Sequence, residues 1–108
     1  EQNREPMPGA PGPDDPTDLR IEGIDDSGVV LTWTDNSDRE GLTIVQRCDG
    51  EDCEAFRNRI GIEPDRPARA IDGDVRAGQV YRYRVYAAWP TPRGPEGSGP
   101  SNVVVARP

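Results

Sequence analysis

The chain has no lysine and no histidine, and its 13 basic residues are all arginine. Without imidazole there is no ready general base near neutral pH and no nitrogen ligand for a metal. Without an ε-amine there is no Schiff-base chemistry and no Lys–Asn isopeptide cross-link. Four serines that lack any histidine partner exclude the usual hydrolase triad. Apolar residues are scarce too, at 32% of 108, and no apolar run approaches the about 18 residues of a membrane-spanning helix. The chain has one phenylalanine, one methionine and two cysteines.

Proline and glycine are abundant by contrast, at 12 each. The length supports one domain with a modest core. Residues 1–15 hold four prolines, two glycines and one large apolar side chain, Met7, which suits extended polyproline-like chain rather than helix or central strand. They are read either as a flexible linker or as an arm that lies along a neighbouring subunit, ahead of a domain over 16–108. The chain starts at Glu1 rather than at an initiator methionine, so a processed mature protein or an excised fragment is expected. The formal charge of −7 repels nucleic acid, so none is expected as a partner.

Cys48 and Cys53 flank Asp49-Gly50-Glu51-Asp52, a turn-forming stretch that would face them toward each other across a hairpin end. A disulfide is the preferred reading. Two thiols without histidine fall short of a four-ligand metal site, and acidic neighbours at this spacing disfavour a redox pair. A disulfide implies secretion or display on a cell surface.

From residue 16 onward the pattern is that of short strands separated by turns, with no helical periodicity. Leu19 and Ile21 alternate with polar residues; Val29, Leu31 and Trp33 share one face of the next strand; Leu42 and Ile44 face inward on the third. Phe56 and Ile60 suit a short strand, as do Ala68, Ala70 and Ile71. The long strand 80–88 turns Tyr81, Tyr83, Val85 and Ala87 inward. Residues 89–100 read as a Pro/Gly loop, and Ser101 to Ala106 as the closing strand. Seven such strands predict an all-β antiparallel sandwich whose core includes Trp33, Leu31, Ile44, Tyr81, Tyr83 and Val85.

Several of these stretches resemble the fibronectin type III family, in particular its bacterial and archaeal branch. Trp33-Thr34-Asp35-Asn36-Ser37 with Glu40-Gly41-Leu42-Thr43-Ile44 is similar to that branch's second-strand tryptophan, polar loop and third strand. Val75-Arg76-Ala77-Gly78-Gln79-Val80-Tyr81 resembles the lead into the family's tyrosine corner, with Ala77 where proline is usual. Tyr83-Arg84-Val85-Tyr86-Ala87 and Ser98-Gly99-Pro100-Ser101-Asn102-Val103 complete the likeness, which spans about 16–108. It implies a seven-stranded immunoglobulin-like sandwich. Trp33 would fill the core and the Tyr81 hydroxyl would bond to backbone a few residues upstream. The family's members usually serve as spacers, adhesive elements or protein-binding surfaces, but Arg93-Gly94-Pro95 lacks the acid of the family's integrin motif.

No catalytic, cofactor or metal residues are assigned. Asp49, Glu51, Asp52 and Glu54 read as a solvated turn, since calcium wants six to eight oxygens on a defined scaffold. Tyr86, Val45 and Trp89 are candidates for an exposed contact surface, with Met7 of the arm as its possible counterpart; alternatively, Trp89 packs on its own loop prolines. The expected role is a non-catalytic extracellular module that assembles with copies of itself into a surface filament. The second reading is a spacer or accessory module of a larger secreted protein, with carbohydrate as a less favoured ligand.

Overall fold

A computed structural model describes residues 12–37 and 41–108, and Met7 falls outside them. β1 (Thr17–Asp25) and β2 (Gly28–Thr34) form a hairpin. Its turn is tightened by the Asp25 carboxylate, which accepts from the Ser27 amide and hydroxyl. Gly28 has φ 127°, and a Cβ there would lie 2.1 Å from the Asp72 carbonyl oxygen, so only glycine fits. β5 (Arg69–Asp72) completes this first sheet in the order β1-β2-β5.

The second sheet is built on β3 (Leu42–Asp49), β4 (Arg57–Ile62) and β6 (Tyr81–Thr91). Its order is β4-β3-β6-β7, with β7 (Gly94–Gly97) and β8 (Val104–Ala106) both paired to β6. Eight strands are present among the described residues, one more than the sequence reading. The stretch 89–100, read as loop, continues β6 to Thr91 and returns as β7. The prolines permit this because Pro90 pairs with Pro95. Two prolines have no N–H to exchange, so the pair must be of the non-hydrogen-bonded kind, with the missing donors directed away from the partner strand.

Gly99-Pro100 interrupts the last strand, and two hydroxyls fill the gap. The Ala87 and Val85 amides of β6 donate to Ser98 Oγ at 2.8 Å and Ser101 Oγ at 3.0 Å. The Ser98 and Ser101 amides donate back to the carbonyls of the same two residues, each at 2.8 Å. Asn102 then reaches the other sheet: its side-chain amide accepts from the Leu19 N–H and donates to the Leu19 carbonyl, at 3.0 and 2.9 Å. The Asp15 carboxylate accepts the Gly99 and Gly12 amides, both at 2.8 Å, so residues 12–15 sit on the domain beside the end of β7.

The core between the sheets contains Leu19, Val29, Leu31, Trp33, Val45, Ala70, Tyr81, Tyr83, Val85 and Ala106. The Tyr81 hydroxyl accepts the Arg76 amide at 2.8 Å, which fastens the loop leading into β6. Cys48 and Cys53 form a disulfide, Cα–Cα 5.8 Å.

The inward register of β3 corrects the sequence reading. Val45 pairs with Val85 and is fully buried, whereas Ile44 pairs with Tyr86 on the outer side and Leu42 is 41% exposed. Ile44 is therefore not a core residue and Val45 not a surface one. The cause is Arg47, which pairs with Tyr83 and also faces inward. A charged residue at an inward position made the 42/44 parity look like the apolar one. Val45→Ala is expected to cost about 2 kcal/mol and Ile44→Ala less than about 1 kcal/mol in urea unfolding. The reverse ranking would refute this register.

Candidate functional site

Two arrangements of side chains stand out, one inside the sandwich and one on its surface. Asp72, at the end of β5, is 2% exposed and points at the opposite sheet. The Tyr83 hydroxyl donates to its Oδ2 at 2.7 Å, and Arg47 Nη1 donates to the same oxygen at 2.9 Å. The Asp74 amide donates to Oδ1 at 3.2 Å, and Arg59 Nε approaches it at 3.4 Å. Arg47 also pairs with Asp49 at 2.9 Å and lies 4.8 Å from the centre of the Tyr81 ring. Arg59 pairs with Asp74 at 2.7 Å.

This is a satisfied polar bridge between sheets. Burial opposes the charge on Asp72, but the Tyr83 hydroxyl, Arg47 and the Asp74 amide outweigh it and hold the carboxyl below its ordinary range. Burial and the adjoining Asp72 carboxylate push the Tyr83 phenol well above its usual value. Neither group is free to do chemistry. An open depression of about 410 Å³ beside the disulfide is walled by Arg47, Asp49, Arg57 and Arg59, of which Arg47 and Arg59 are committed to the bridge. Among the described residues no group of three or more His, Cys, Asp or Glu is placed to hold a metal ion.

The surface arrangement is the outer face of the larger sheet. Strand alternation and pairing set Leu42 and Ile44 of β3 next to Tyr86 of β6, with Gly61 of β4 and Gly97 of β7 on the flanks. A Cβ on Gly61 would lie 3.7 Å from the Leu42 side chain, and one on Gly97 would lie 3.4 Å from the Tyr86 ring. The two glycines thus form low strips beside an apolar ridge.

Toward the other end the face becomes polar. Arg84 donates to Gln46 at 2.7 Å, and Gln46 donates to Asn58 at 3.0 Å. The Tyr86 hydroxyl donates to Asn58 at 3.3 Å. Arg84 lies 4.3 Å from the centre of the Phe56 ring, and Arg82 donates to the Cys53 carbonyl. Arg82 and Arg84 are the charged residues at described outward positions of these strands, in a chain of net charge −7.

The candidate contact residues are thus divided. Tyr86 lies on this face. Val45 is in the core, and Trp89, half-buried, has the opposite parity to Tyr86 on β6. Leu42, Ile44, Gly61 and Gly97 were missed. Correct parity for β3 would have brought in the first two, but glycines that stay low beside a ridge leave no sequence signal.

No family model matches the chain, and no curated protein does. Solved structures do. A fourth FNIII domain from human covers 98% of this chain and 88% of its own length, with TM-score 0.66 at 16% identity. The chain has the fibronectin type III fold. The FN3 domain of human collagen XX is similar over 97% of this chain and 98% of its own, with TM-score 0.63 at 14% identity. In chicken CNTN1 FN1–FN3, 89% of this chain aligns with 33% of that structure, with TM-score 0.59 at 28% identity. The Tyr81–Arg76 bond supplies the tyrosine corner of the fibronectin type III fold.

Tyr83→Phe removes one partner of a buried carboxylate and is expected to cost about 1–3 kcal/mol at neutral pH, read by urea unfolding. For the wild type, stability should fall below about pH 4, where the unfolded chain takes up a proton that folded Asp72 resists. It should fall again above about pH 10, where the unfolded chain releases the Tyr83 proton that the folded state retains. Tyr83→Phe should flatten that alkaline decline. An unchanged alkaline limb would contradict the bridge.

Proposed function

We propose that this fibronectin type III domain is a non-catalytic interaction module of the cell surface or extracellular space, and that it assembles with copies of itself. The observation that supports this best is the apolar row on the outer face of the larger sheet, where Leu42 is exposed and Ile44 and Tyr86 are half-buried beside it. Exposed apolar side chains gathered on one face suit a contact surface more than a solvated one. The Cys48–Cys53 disulfide supports an oxidising compartment. Repeated head-to-tail contact between like domains, with the N-terminal segment reaching the next copy, gives an open filament unless rotation closes it.

A second reading is a spacer or accessory module of a larger secreted protein, favoured by the match to one third of the CNTN1 structure. Carbohydrate is less suited to this face, where Tyr86 is the aromatic of the ridge.

Sedimentation velocity across a hundredfold range of chain concentration, with negative-stain microscopy, tests the assembly. Concentration-dependent growth that Leu42→Glu suppresses supports it. A monomer at every concentration refutes it and leaves the spacer reading.

A further inference from the structure

The edges of the two sheets are not alike, and one is left open. β7 carries Pro95, whose missing donor blanks its free edge, and β1 has the Leu19 N–H and carbonyl taken by Asn102. β5 and β8 are only four and three residues long. β4, by contrast, ends its sheet with six residues and no proline. Its ladder partner is β3, and among the described residues no backbone bond outside that ladder involves it. We propose that the free edge of β4 takes up an extended acidic segment of another protein as an added strand.

The charge along this edge sets the chemistry of the partner. The whole chain stands at −7, yet arginine occupies positions 57, 59, 66 and 69, from β4 through the following loop to the start of β5. Arg59 is committed to Asp72 and Asp74, and Arg69 to Glu22. Arg57 and Arg66 are exposed, and among the described residues neither guanidinium has a hydrogen-bond or ion-pair partner, although Glu63 and Asp65 share the loop of Arg66. Arg57 walls the depression of about 410 Å³ at one end of the strand. Arg66 walls a second cleft of about 260 Å³ at the other end, with Gly61, Ile62 and Glu63. An extended peptide of six residues spans about 20 Å at about 3.3 Å each, enough to follow β4 from one cleft to the other.

Strand addition draws its affinity from main-chain bonds and its selectivity from side chains. The bulge at Arg59 turns that guanidinium to Asp72 and leaves Ile60–Ile62 as a regular stretch, held firm because both isoleucines pack on the core. The charge that sets two β4 edges against each other favours a strand that carries glutamate or aspartate. Sulfated polysaccharide would meet the arginines but has no backbone to complete a ladder. The edge lies at the rim of the larger sheet, apart from the Leu42 row, so its occupation does not rest on assembly of like domains.

The probe is a blocked octapeptide of alternating glutamate and valine, titrated into the ¹⁵N-labelled full chain. Saturable shifts are expected at the Ile60, Gly61 and Ile62 amides, with slowed exchange of the β4 amides that face away from β3. Arg57→Glu and Arg66→Glu, both on the surface, should each weaken binding about fivefold and together more than tenfold. The same peptide N-methylated throughout keeps every carboxylate and loses the ladder, so it should not bind; nor should a lysine–valine octapeptide. Equal binding of the N-methylated form overturns strand addition. In the wild type, no shifts at millimolar peptide, or shifts confined to the Leu42, Ile44 and Tyr86 row, overturn the site whatever the variants do. A heparin fragment that saturates the same arginines where the peptide does not overturns the acidic peptide as ligand.

Discussion

The bridge from Asp72 to Arg47 and Tyr83 is the constraint on which the rest of this structure depends. A carboxylate on β5 is carried into the space between the sheets, and buried charge is tolerable there only with close partners. Arg47 and Tyr83 supply them from the opposite sheet, and the paired register of β3 and β6 puts both on the inward side. Once Arg47 points in, so does Val45, and Leu42 and Ile44 must point out. One buried ion pair therefore decides which apolar residues make the core and which make the surface ridge.

The interruption of the last strand has a similar local logic. Gly99 and Pro100 break the ladder on β6, and Ser98 and Ser101 replace the lost backbone partners with their hydroxyls. The break frees Asn102 to clasp Leu19 and Gly99 to meet Asp15. The same irregular stretch thus ties β1 and residues 12–15 to the larger sheet, beside the end of β7.

Much of the fold was legible in the sequence because β6 follows clean alternation and β2 carries its largest side chains at every second position. Leu31 and Trp33 on β2, and Tyr81, Tyr83 and Val85 on β6, are spaced by two, and each is buried. The candidate surface was legible only in Tyr86. An inward arginine is invisible to an apolar pattern unless its carboxylate partner is known, and Asp72 lies 25 residues away on another strand. The β6–β7 hairpin was hidden by prolines, which argue against strand until their pairing shows that no donor is missing. The glycine strips beside the ridge leave no pattern at all, because their role is to be short beside Leu42 and Tyr86.

The most direct measurement is the titration of the Asp72 side-chain carboxyl by carbon NMR on the folded chain. With Arg47 and Tyr83 as partners it must remain ionised below the ordinary aspartate range. If β3 were shifted by one residue, Asp72 would be buried without its arginine, and desolvation would drive its pKa upward instead. A value above that of an exposed aspartate would contradict the register, and with it the outer face and everything proposed to dock there.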